Sequence, residues 1–122
     1  EYPEYQTSKD NMGLISPAGL QGAHEVYRDM IEALEYNYKY KIRCLGEPQL
    51  GKRGLYPTLS QKGGRDFVAA LTNFIAYADG TNDLIDISNI IGVPTKGVIP
   101  IVRQLLKTDL LEKSVLNTVK PE

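Results

Sequence analysis

The stretch Gly46-Glu47-Pro48-Gln49-Leu50-Gly51-Lys52-Arg53 comes nearest to a chemistry by residue type and spacing, because it approaches the phosphate-binding loop G-x-x-x-x-G-K-[ST]. In that loop backbone N–H groups and the lysine hold phosphates, and a Ser or Thr hydroxyl holds magnesium. Here Arg53 stands at the hydroxyl position. The following Gly54-Leu55-Tyr56-Pro57 cannot begin the helix whose N-terminus would face the phosphates. The stretch therefore reads as a connector with turns at Gly46 and at Gly51 to Gly54. The other reactive residue types stand alone. His24 falls near an apolar stripe in a helical stretch and reads as a packed or half-exposed side chain. Cys44 is the single cysteine, which excludes an internal disulfide and a cysteine-based structural zinc site, and fits a reducing cytosol. No complete set of nucleophile, base and metal ligands is legible, so no catalytic or cofactor-binding residue is assigned.

Two clusters could bind rather than react. Lys96, Arg103 and Lys107 lie in one helical stretch and could form a small positive strip. Nucleic acid is disfavoured as their partner, because from residue 65 onward the chain carries six cations and seven anions. The start of that helix, Thr95 to Pro100, also offers little that hydrogen-bonds base edges. Tyr36, Tyr38, Tyr40 and Ile42 alternate with Asn37, Lys39, Lys41 and Arg43, which predicts a strand with one aromatic face. The tyrosines suit a half-buried pleated surface; the competing reading is a stacking platform for bases or sugars.

The elements that would position these residues are mostly helical. Ser16 can cap a helix opened by Pro17, and Leu20, Ala23, Tyr27, Ile31 and Leu34 recur along one face of about twenty residues. After the joint at Lys62-Gly63-Gly64, Phe67, Ala70, Leu71, Phe74, Ile75 and Ala78 predict a second helix, ended by Asp79-Gly80. Asp83 with Asp86 predicts a capped short helix burying Leu84, Ile87, Ile90 and Ile91. Gly92-Val93-Pro94 is a turn, and Thr95 can cap a further helix carrying Val98, Ile99, Val102, Leu105 and Leu106, with Pro100 near its start. Leu110-Leu111 closes the unit, and Ser114 to Val119 has room for one strand. Helix, short helix, glycine turn, longer helix and strand predict a winged helix-turn-helix with a stunted wing.

Bulk properties set the frame. The chain has 122 residues, 42% of them hydrophobic and 24% charged, which is the composition of a globular protein. A net charge of −1 and an isoelectric point near 5.9 supply no global attraction to nucleic acid or anionic lipid. No apolar run approaches the ~20 residues a membrane span needs. Glu1-Tyr2-Pro3-Glu4 is not a signal peptide and lacks an initiator Met, which suggests a piece of a longer, cytoplasmic protein.

Several blocks also carry a resemblance. These are Tyr5 to Asn11, Ile15-Ser16-Pro17 with Gly19-Leu20, Glu47 to Pro57, Ala76 to Gly80 and Ile91 to Pro94. Together they resemble the C-terminal stretch of bacterial aminopeptidase-like proteins, in which a zinc-exopeptidase-type α/β domain is followed by a winged helix-turn-helix domain. In that family's Tyr-His-Thr-Ser-x-Asp-Asn segment the histidine ligates the metal. Here Gln6 takes its place, and an amide oxygen is a poor zinc ligand.

The resemblance implies a mainly α chain with minor β. Residues 1–45 would be the terminal loop and helix of the peptidase-like α/β domain, 46–64 a Gly/Pro-rich connector and 65–122 the winged helix-turn-helix domain. It implies no metal ligand or cofactor in this chain, with zinc left to a full-length parent linked to polysaccharide biosynthesis. The expected role is non-catalytic: packing on a peptidase-like domain of the same protein or of another subunit, or self-association. The alternatives are the tail of an active zinc aminopeptidase and a DNA-binding winged-helix regulator.

Overall fold

In the computed structural model, residues 2–44, 46, 48–54 and 64–115 are described. They divide into two compact units, residues 1–32 and 33–122. Among the described residues the phosphate-loop-like stretch holds a single 3-10 turn, Gly51–Arg53, closed by left-handed Gly54. Residues 55–63, with the Leu55-Tyr56-Pro57 end of the Glu47–Pro57 block and the Lys62-Gly63 joint, lie outside the described residues, as do 116–122, with most of the expected Ser114 to Val119 strand.

The first unit is a series of turns leading into helix α1 (Pro17–Glu35), whose last three residues belong to the second unit. Polar side chains satisfy the turns locally. The Tyr2 hydroxyl donates to Asp10 Oδ1 at 2.9 Å, and the Gln6 backbone N–H donates to Asp10 Oδ2 at 3.4 Å. Ser16 caps α1 as its sequence position predicts, its Oγ accepting the Gly19 N–H at 3.0 Å. The predicted apolar row is in place along α1, yet no residue of the helix is buried. Leu20, Tyr27, Ile31 and Leu34 are 57 to 67% exposed.

The second unit contains β1 (Lys39–Ile42), α2 (Gly64–Tyr77), β2 (Asp79–Asp83), α3 (Leu84–Ile91), α4 (Thr95–Lys107) and β3 (Leu111–Ser114). The three strands form one antiparallel sheet in the order β2-β1-β3. Lys39 pairs with Asp83 on one side and with Ser114 on the other. Residues 39–42, grouped with segment 1–45 in the sequence reading, thus supply the central strand of the second unit. The physical reason is Tyr40. Its side chain has no exposed surface and meets Phe74 edge-on at 5.9 Å, so β1 must lie on the helices to bury it.

The helical stripes close the core. Leu71 and Phe74 of α2, Leu84 and Ile87 of α3, and Val102 and Leu105 of α4 are fully enclosed. Asp83 and Asp86 form the expected capping box, with Asp83 Oδ1 accepting the Asp86 N–H at 2.9 Å. Gly92 then ends α3 at φ 67°, a left-handed conformation that favours glycine.

Three details differ from expectation. Ile90 is exposed while Ser88 is buried, because the inward face of α3 runs through 84, 87, 88 and 91. Its hydroxyl is satisfied by donating to the Val93 carbonyl. Thr95 is the first helical residue rather than the cap, since the carbonyl of Pro94 accepts the Gly97 and Val98 N–H groups. Asp79-Gly80 ends α2 and also begins strand β2, with Asp79 accepting the Thr81 N–H at 2.8 Å and its hydroxyl at 2.6 Å.

Candidate functional site

α4 would have to meet any partner along its outward face. Its inward face is taken by Val98, Ile99, Ile101, Val102 and Leu105, leaving Lys96, Pro100, Arg103 and Lys107 exposed. At 3.6 residues per turn these four fall in nearly one line along the helix. The three candidate cations named from sequence therefore do share a face. Pro100 lies on that same outward side, so the N–H that proline lacks is missing from the face of α4 turned away from the core.

Arg103 is drawn away from an open strip. Its Nε donates to the Tyr36 hydroxyl at 2.8 Å, and its guanidinium carbon lies 4.9 Å from the Tyr36 ring centre. Lys113 of β3 places its ammonium 4.3 Å from the centre of the Tyr38 ring. These residues, with Glu35, Tyr40 and Leu106, line a cleft of about 420 Å³. Burial pushes the Tyr40 hydroxyl's pKa well above its ordinary value, so it stays protonated and donates to the Tyr36 carbonyl at 2.6 Å.

Sequence reading found the tyrosine alternation but missed Lys113 and the Arg103–Tyr36 pairing, since both depend on how the strands pair and on α4 packing beside the sheet. Lys113 sits opposite Tyr40 in the β1–β3 register, which no local period in the sequence records.

A DNA-reading arrangement gains little from this geometry. Among the described residues α4 is followed by a single strand, and the strand beside it is β1, from ahead of all three core helices. Among the described residues no hairpin projects next to α4 to add phosphate contacts. Arg43, a further cation of this sheet, pairs with Asp109 and lies 3.6 Å from Glu112 Oε2.

In the first unit Gln6 is exposed and holds a left-handed backbone, φ 58°, which is uncommon for a residue with a side chain. The described residues contain no group of three or more His, Cys, Asp or Glu side chains able to hold a metal ion. The described residues thus do not fit a zinc centre by themselves. His24 is exposed on α1, and Cys44 places its Sγ 3.6 Å from the Gly46 carbonyl oxygen. No single helix among the described residues is long and apolar enough to cross a membrane.

The chain is 31% identical over 112 residues to a Clostridium acetobutylicum protein whose name places it in polysaccharide biosynthesis with an aminopeptidase-like domain. That match covers 88% of this chain and 25% of the relative. A crystal structure of a C. acetobutylicum protein named as a peptidase superposes with a TM-score of 0.71 at 28% identity, covering 93% of this chain and 24% of that one. The chain thus spans about a quarter of the length of the relatives it matches. The resemblance to aminopeptidase-like proteins, drawn from the Tyr5–Asn11 and Glu47–Pro57 blocks, agrees with both. A winged helix-turn-helix family model matches residues 38–113, which contain β1, the three core helices and most of β3. With more than half of its length matched by that model, the chain belongs to the winged helix-turn-helix family.

Proposed function

We propose that this chain is a non-catalytic packing and interaction segment of an aminopeptidase-like protein, docking through α1 on the peptidase-like domain. The observation that carries this reading is the contrast between the two units. The winged-helix unit encloses a core of apolar side chains, whereas α1 has no buried residue and presents Leu20, Tyr27, Ile31 and Leu34 to solvent along one face. Covering such a side chain contributes about 1.5–3 kcal/mol, so a four-residue row is strongly driven to find a partner surface. Relatives four times as long, one named for an aminopeptidase-like domain, supply a partner of the right kind. Through that relative's name, the reading extends to a place in polysaccharide biosynthesis.

Hydrogen exchange on the 122-residue chain and on the longer protein tests it. Amides of residues 20–34 should exchange readily in the dilute chain and become protected in the longer protein. Equal protection of α1 in the monomeric chain would refute the reading.

A second reading, the tail of a working zinc hydrolase, is favoured by one observation. The left-handed backbone at Gln6 is the kind of strained geometry that collects at functional sites, and it occupies the family's histidine position. Metal content and hydrolase activity of the longer protein decide it; a metal-free, inactive protein would end it.

A further inference from the structure

Resting on the docking of α1 proposed above, we infer that the partner surface is a two-walled groove of the peptidase-like domain, one wall of which brings its backbone close to Gly22. Two apolar rows run along α1. Leu20, Tyr27, Ile31 and Leu34 make the first, and Gly22, Val26 and Met30, spaced four apart, make the second. At 3.6 residues per turn the second row lies roughly 110° round the axis from the first. Val26 is 59% and Met30 56% exposed, nearly as open as the first row. A flat surface laid on the first row leaves the second in water, whereas a groove covers both.

Gly22 is an independent sign of the second wall. Glycine inside a helix is less favourable than alanine, because it loses more backbone freedom on folding. A Cβ built at Gly22 would meet nothing within 4 Å, so no neighbour among the described residues requires the missing side chain. A partner backbone crossing α1 at that point does require it, since it can come closer there than over any larger residue. The remaining arc of α1 is polar. Gln21 Nε2 donates to Glu25 Oε1 at 2.8 Å and Arg28 pairs with Asp29 at 3.0 Å, so this arc bonds within the helix and faces water. The occupant is the peptidase-like domain, because relatives of this chain are about four times as long and one is named for such a domain.

The test follows hydrogen exchange in the longer protein, unchanged and carrying Ile31→Lys, Val26→Lys or Gly22→Leu. Circular dichroism of the same variants in the 122-residue chain is the folding control. Gly22→Leu should deepen the helical signal of the 122-residue chain, since leucine favours helix. In the longer protein the same change should lower the protection of residues 20–34 by about tenfold or more. Val26→Lys should lower that protection as much, with no loss of helical signal in the 122-residue chain. Full protection kept in either variant would overturn the groove; its loss in Ile31→Lys would then leave one-sided docking standing. Residues 20–34 left unprotected in the unchanged longer protein would overturn both. Protection that appears in the 122-residue chain alone as its concentration rises would make a second copy the occupant and overturn the inference.

Discussion

Replacing Tyr40 tests whether β1 is part of the winged-helix core or a passenger from the preceding segment. Tyr40 has no exposed surface, packs edge-on against Phe74, and donates its hydroxyl to the Tyr36 carbonyl at 2.6 Å. Two contributions can be separated. Tyr40→Phe removes only the hydroxyl, and because Tyr36 is half-buried, water can reach its carbonyl in part; the expected loss is about 0.5–1.5 kcal/mol. Tyr40→Ala also removes the ring and leaves a cavity between the sheet and α2, for an expected loss of about 3–5 kcal/mol. Urea unfolding followed by far-ultraviolet circular dichroism measures both. The helical signal of α2, α3 and α4 should unfold in the same transition as the sheet, at a lower midpoint and with an unchanged slope. A Tyr40→Ala loss below about 1 kcal/mol, or helices that melt where they did before, would refute the placement of β1 in this core.

The remaining predictions test charge and capping. Tyr40's ionisation is disfavoured by burial in the folded state, so above pH 10 the unfolded chain ionises first and stability falls as pH rises; below that the contribution is intact. The alkaline slope attributable to Tyr40, up to about 1.4 kcal/mol per pH unit, should vanish in Tyr40→Phe and would be read from urea midpoints at pH 9 to 11. Asp83→Ala removes the capping box of α3 and the Asn37 contact at 3.3 Å, and should cost about 1–2 kcal/mol by the same unfolding assay. An Asp83→Asn variant, which keeps an acceptor, should cost less. Fluorescence anisotropy with mixed-sequence duplex DNA at low salt should show no saturable binding; a steep salt-dependent affinity lost on Lys96→Gln and Lys107→Gln would instead support a DNA-binding role.

Much of the architecture was legible because it depends on local chemistry. The Ser16 cap, the Asp83–Asp86 box and left-handed Gly92 are decided by a few neighbouring residues, and each occurs where the residue types place it. The stripes of α2 and α4 follow from the 3.6-residue period, which needs no knowledge of the partner. Strand β2 was hidden because Asp79-Gly80-Thr81-Asn82-Asp83 lacks β-branched and aromatic alternation; pairing with β1 makes it a strand. The outward turn of Ile90 escaped for a similar reason. On a helix of eight residues several apolar choices fit one face, and packing selects among them.

The amino-acid sequence by itself determined the helices, the Ser16 and Asp83 caps and the family resemblance, all of which rest on residue identity and short-range spacing. Tertiary structure alone decided that β1 is the central strand, that Arg103 is held by Tyr36, and that Lys113 completes a cleft with them. The β1–β3, Arg103–Tyr36 and Lys113–Tyr38 pairings join residues more than sixty positions apart, and no local period records them. What settles the place of β1 is the need of one tyrosine, Tyr40, to bury its ring against Phe74 and the helices.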